Sequence, residues 1–237
     1  MSRTYTKFAD RDAEAKALVD SVALPDVSVG QYREQMRQLG LHLGEGVLEA
    51  LPADTRHDIC VVCTVEDADF LARGLIQSLE QHGLGDRTRL ICLWNGKVRE
   101  DGISISPVLR QYKEEFNPSG TVFIVVKSII SGACVVKTNL TRALSSGDPS
   151  AIFVAAPVML KDAEKRLAAE FPSDVAKQFQ YVWFATDDEK NGENVLPGIG
   201  GSVYERLGFG GEQEKNRHMP AIVKERRGKY AEHPVTA

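Results

Sequence analysis

The stretch Thr121–Leu144, TVFIVVKSIISGACVVKTNLTRAL, decides how the chain is read. Val122 to Val126 form an uninterrupted apolar, largely β-branched run, the pattern of a strand buried on both faces of a parallel sheet. Small residues, Ser128, Ser131 and Gly132, then break the run, and Val135, Leu140, Arg142 and Leu144 follow in a segment read as a helix. Strand, small-residue loop and helix in that order leave backbone N–H groups at the helix start free to face an anion. A plain β–α connection has the same local signature, so the surrounding chain must carry the distinction.

On either side, short apolar runs alternate with helical segments. Met36, Leu39, Leu43, Val47 and Leu48 recur at helical spacing between Val29 and Leu51, and Phe70, Leu71, Leu75, Ile76 and Leu79 do so between Asp67 and His82, where Gly83 closes the segment. Lys161 to Phe171 reads as a further helix. Strands are expected at Asp58–Cys63, Thr88–Trp94, Ala151–Ala156 and Tyr181–Ala185. Asn95 to Pro107, NGKVREDGISISP, reads as a hairpin excursion of the kind that overhangs a site. This alternation predicts an α/β fold, a mostly parallel β-sheet flanked by helices on both faces, with ligands at the carboxyl ends of the strands. Residues 1–24 read as a polar N-terminal arm, 25–210 as the domain, and 211–237 as a polar C-terminal tail with a local basic excess.

Composition narrows the function. With 237 residues and 43% hydrophobic content the chain can bury a sizeable core, and its mean hydropathy is -0.23. No apolar run approaches the roughly 20 residues of a membrane span. The opening MSRTYTKFADRDAEAK lacks a signal-like apolar core, so a cytoplasmic protein without membrane partners is expected. A net charge of -4 argues against a general nucleic-acid binder. Cys60 and Cys63 form a C-x-x-C, which raises a redox or zinc reading. They lie inside a β-branched run with no second ligand pair, and buried strand cysteines are the expectation. The five histidines have no partner at ligand spacing, and no metal site is expected from the residues themselves. Between Asp187 and Gly211, Pro197, Gly198, Gly200 and Gly201 make a tight backbone whose N–H and C=O groups suit a flat polar ligand such as a nucleobase, although a surface turn has the same composition.

Three stretches together resemble the uracil phosphoribosyltransferase family. YREQMRQLGLHLGEGVLEALP (Tyr32–Pro52) resembles its N-terminal helix, and AIFVAAPVMLKDAEKRLAAEFP (Ala151–Pro172) its Val-Ala-Ala-Pro strand and helix. YVWFATDDEKNGENVLPGIGG (Tyr181–Gly201) resembles its acidic segment and base-binding loop. The resemblance implies a phosphoribosyltransferase-like fold and a transferase of pyrimidine salvage. Such an enzyme joins a uracil-like base to 5-phosphoribosyl-1-diphosphate, with Mg2+ as cofactor, and works as a homodimer or higher homo-oligomer. It places a 5′-phosphate on Ser128, Ser131, Gly132, Ala133 and Cys134, and a nucleobase or nucleotide on Val195, Leu196, Gly198, Ile199 and Gly200. The chain departs from the family where charge is needed. Val126 stands in place of the ribose-binding Asp, and Lys127 in place of the Pro that follows it. Cys63–Glu66 replaces an Arg-Ala-Gly, and Trp94-Asn95-Gly96 replaces a Tyr-Arg-Asp. Gly201 replaces the last carboxylate of the base loop. Lys97, Arg99 and Lys127 are the candidate substitute cations. Without them, the departures imply a non-catalytic member acting as ligand sensor or scaffold subunit.

Overall fold

The five apolar runs are the five parallel strands of one sheet in the computed structural model, which describes residues 2–52, 56–100 and 103–231. Of residues 99, 100, 103, 104, 230 and 231 only the backbone is described. The chain opens with β1 (Arg3–Tyr5) and the helices α1 (Lys7–Arg11), α2 (Ala13–Val22) and α3 (Val29–Ala50). β2 (Ile59–Thr64) leads through α4 (Val65–Asp67) and a π-helical turn, Ala68–Ala72, into α5 (Arg73–Gln81). β3 (Thr88–Asn95), the hairpin β4 (Val98–Glu100) and β5 (Ile103–Ile105), and β6 (Val108–Lys113) follow. Then come β7 (Ser119–Val126), β8 (Ile129–Ile130), α6 (Cys134–Leu144), β9 (Asp148–Leu160), α7 (Ala163–Ala168), α8 (Ser173–Ala176) and β10 (Phe179–Asp187). A second hairpin, β11 (Glu189–Asn191) and β12 (Asn194–Leu196), precedes α9 (Val203–Arg206), α10 (Glu212–Arg217) and α11 (Ala221–Ala231).

The strand order is β1-β10-β9-β7-β2-β3-β6, with β8 beside β9. β10, β9, β7, β2 and β3 are parallel, and the two edges, β1 and β6, are antiparallel. Numbered along the chain, the parallel strands run 2-1-3-4-5. The order therefore reverses between β2 and β7, the switch point at which α/β sheets open a crevice. β2 and β7 end in register at Cys63 and Val126, so the residues that follow leave neighbouring strands side by side.

Side-chain alternation divides the core. Ile59, Val61 and Cys63 pack with Val19, Leu39 and Leu75 of α2, α3 and α5 on one face. Cys60 and Val62 pack with Val136 and Leu140 of α6 and Leu167 of α7 on the other. Cys60 and Cys63 therefore point to opposite faces, both buried. Burial and the neighbouring carboxylate of Glu114 push the Cys60 thiol up, and a bond with Cys92 together with burial raises Cys63. Cys60 and Cys63, on opposite faces of the strand, do not form a pair with each other. Ser28 caps α3 in a capping box with Gln31.

The chain ends correct two expectations. The first 24 residues are no arm: β1 completes the sheet beside β10, and Val19 and Val22 are in the core. Nor is the region from residue 211 to 231 a solvated tail, because Lys215 and Val223 are buried and Arg226 is paired with Glu114. The charged faces of these segments concealed their anchors. No helix among the described residues is long and apolar enough to cross a membrane.

Candidate functional site

At the switch point the turn after β2 supplies Glu66 and Asp67, and the end of β7 supplies Lys127. All three are buried. Lys127 Nζ donates to Asp67 Oδ2 at 2.7 Å, Glu66 Oε1 at 3.2 Å and Ser128 Oγ at 3.3 Å. Thr64 Oγ1 donates to Asp67 Oδ2 at 2.8 Å. Lys215, from α10, reaches the same place: its Nζ donates to the Asn95 carbonyl at 2.7 Å and lies 4.0 Å from Glu66 Oε2. Burial would discharge Lys127, but Asp67 and Glu66 hold its ammonium well above the usual range. Burial also works against the Glu66 carboxylate, yet Lys127 and Lys215 keep it below the usual carboxylate range. Asp67, without help from a second close lysine, is pushed up by burial and by the charge of Glu66. Lys215 is lowered by burial.

Over this cluster opens a cleft of about 630 Å³. Ser131, Gly132, Ala133 and Cys134 line one side, Lys97 and Ser106 another, and Asn194 and Val195 a third, with Glu66, Asn95 and Lys127 at its buried side. Helix α6 begins here with no acidic residue in its first turn, and Cys134, Val135 and Val136 of that turn line the cleft at the positive end of the helix dipole. Across the cleft, Lys97 of the β3–β4 turn forms an ion pair with Glu193 of the β11–β12 turn, and its backbone N–H donates to Glu212 Oε1 at 2.8 Å. Asn95 Nδ2 donates to Asn139 Oδ1 at 2.9 Å and to the Ser106 carbonyl at 3.4 Å.

The cleft thus brings together Ser131, Gly132, Ala133, Cys134, Lys97, Lys127 and Val195. Other residues expected at the site lie elsewhere. Ser128 is fully buried and its oxygen serves Lys127. Leu196 is not a lining residue, and Gly198, Ile199 and Gly200 are turned into the scaffold. The Gly198 N–H donates to Asp187 Oδ2 at 2.8 Å, and its carbonyl accepts from Arg3 Nη2 at 2.7 Å. The Ile199 carbonyl accepts from Tyr32 at 3.3 Å. Positive φ angles of 56° at Gly198 and 80° at Gly200, with backbone where a Cβ would sit, explain why glycine is required there. The loop's composition reflects this tight inward turn rather than an open ligand platform. Arg99 falls on β4, where only the backbone is described. Lys215 went unread because a lone lysine in EQEKNR carries no sign of burial.

A resident Mg2+ asks for several oxygen ligands in octahedral array. One oxygen each of Glu66 and Asp67 accepts from Lys127, whose ammonium already supplies the positive charge between them, and among the described residues no group of three or more acidic, His or Cys side chains could hold a metal. A full set of protein ligands for Mg2+ is therefore not present among the described residues.

No family model matches the chain, and no curated protein does. Among solved structures, the AQ2163 protein from Aquifex aeolicus superposes with a TM-score of 0.63 at 16% identity, covering 82% of this chain and 93% of its own. The likeness establishes a shared α/β fold, with the parallel sheet between two helical layers. A hypoxanthine phosphoribosyltransferase from Trypanosoma cruzi matches at a TM-score of 0.36 and 12% identity over 54% of this chain and 66% of its own. The adenine phosphoribosyltransferase from Thermoanaerobacter pseudethanolicus matches at 0.35 and 12% over 60% and 76%.

Proposed function

We propose that the chain binds a nucleobase-bearing monophosphate in the switch-point cleft, its phosphate against Ser131–Cys134 and the start of α6, and does not transfer a phosphoribosyl group. One observation carries the reading: the first turn of an 11-residue helix, which has no acidic residue, borders, beside small residues, a cleft at the carboxyl ends of the sheet. Phosphoribosyl transfer needs cations placed against a departing diphosphate. Lys127 is neutralised by two carboxylates and Lys97 is paired with Glu193, so neither replaces the missing arginines. Val195 and Asn194 of the second hairpin, rather than Gly198 to Gly200, offer the surface for a base. A homodimer in the cytoplasm accompanies this reading, and sedimentation would test the assembly.

A thermal-shift series with UMP, CMP, uridine and inorganic phosphate tests the binding. Ligands that bind only the folded chain raise its melting temperature. The phosphorylated members should raise it, and the unphosphorylated nucleoside should not. Gly132→Asp adds negative charge where a Cβ meets nothing within 4 Å, and should abolish the shift without unfolding the protein. No shift at millimolar UMP, CMP and phosphate would reject the reading. UMP formed from uracil and 5-phosphoribosyl-1-diphosphate would overturn its non-catalytic half.

A further inference from the structure

We infer that the buried side of this cleft selects a ligand carrying a hydrogen-bond donor, an amino or hydroxyl group, through two unpaired acceptors, Glu66 Oε2 and Asn95 Oδ1. The inference rests on the reading that the cleft takes a phosphorylated ligand, and names what the rest of that ligand must offer. Both residues line the cleft, and they are only 3% and 4% exposed. Neither oxygen has a hydrogen-bond partner among the described residues. Asn95 spends its amide nitrogen on Asn139 Oδ1 and the Ser106 carbonyl, two acceptors, which settles that its oxygen is the unpaired atom. Glu66 Oε1 accepts from Lys127, while Lys215 Nζ stands 4.0 Å from Oε2 and donates instead to the Asn95 carbonyl.

Native interiors pair nearly all their buried polar atoms, so two bare acceptors on one cavity call for a donor from outside. A site built to accept from an N–H or O–H rejects the analogue that lacks it, because its own atoms are then left unpaired. A diphosphate would bring only acceptors and negative charge towards Glu66. The cleft therefore has two unlike ends, the start of α6 with its small residues for a phosphate and the bare acceptors for a donor group.

The test is calorimetric titration of the full chain with CMP, 2-pyrimidinone riboside 5′-monophosphate, 2′-deoxy-CMP and inorganic phosphate. The second ligand deletes the amino donor of CMP and the third a hydroxyl donor. At least one deletion should weaken binding by about ten-fold or more, and which one does so identifies the group that is read. Glu66→Gln should cut that ratio to about three-fold or less, with inorganic phosphate binding unchanged. Nucleotides that all bind the wild type within about two-fold would sink the inference, as would a ratio preserved in Glu66→Gln. The wild-type ratios decide the matter even if that variant does not fold. Phosphate binding without discrimination defeats this inference alone, whereas failure of every ligand to bind defeats it together with the proposed function.

Discussion

Two buried charge clusters lie on either side of β3, and they differ in how completely they are closed. In one, Glu114 accepts from Tyr112 Oη at 2.9 Å, Arg226 Nε at 2.6 Å, Arg226 Nη2 at 2.8 Å and the Leu90 N–H at 2.9 Å, so both its oxygens are served. In the other, Lys127 joins Glu66 and Asp67, yet Glu66 Oε2, Asp67 Oδ1 and the adjacent Asn95 Oδ1 have no hydrogen-bond partner among the described residues. Both bury carboxylates. The saturated cluster fastens α11 to the sheet, whereas the unsaturated one borders the cleft. Completeness of hydrogen bonding separates a structural ion pair from one that keeps a side open to a ligand.

The largest expected effect tests the open cluster. Lys127→Met strands two buried carboxylates and should cost about 3–5 kcal/mol in urea unfolding. A loss below about 1 kcal/mol would mean that the cluster is not organised around this lysine. Arg226→Met leaves Glu114 with the neutral donors of Tyr112 and Leu90, so a loss of about 3 kcal/mol is expected, with CMP affinity unchanged. An equal loss of CMP affinity would break the division between the two clusters. Glu66→Gln should cost about 1–2 kcal/mol at neutral pH, since Lys127 keeps Asp67. Because the folded-state carboxyl of Glu66 lies below its ordinary value, its contribution is complete above the ordinary carboxylate range and fades as pH falls through the depressed one. The gap between wild type and Glu66→Gln should therefore close on acidification, and a gap that widens would reverse the assignment. Lys97→Ala removes a pair whose side chains are 49% and 61% exposed, and should change stability by about 0.5 kcal/mol or less.

The parallel core was legible because strands buried on both faces must be apolar without interruption, as in Ile59–Thr64 and Ser119–Val126. The edges were not. β1 is three residues, RTY, too short for alternation to show, and β6, VLRQYK, exposes much of its length. Within the candidate site, the small residues at Ser131–Cys134 marked a loop that the fold does place on the cleft. Gly198 and Gly200 carried the same compositional signal for another reason, since backbone crowding at positive φ demands glycine whether or not a ligand is near. Glu66 stood in the sequence only as the end of a stretch that replaces an Arg-Ala-Gly, and its pairing with Lys127 depends on the register of β2 against β7, which no local pattern reveals.

Lys215 lies 120 residues from the Asn95 carbonyl that it caps. On the ribosome, the whole parallel sheet from β2 to β10 emerges before that lysine does. Until it does, Glu66 and Asp67 have Lys127 but not Lys215 beside them, and the Asn95 carbonyl lacks its donor. The cleft is consequently among the last parts of the molecule to reach charge balance. A chain interrupted shortly before Lys215 would lack both this donor and Arg226, the cation that serves Glu114.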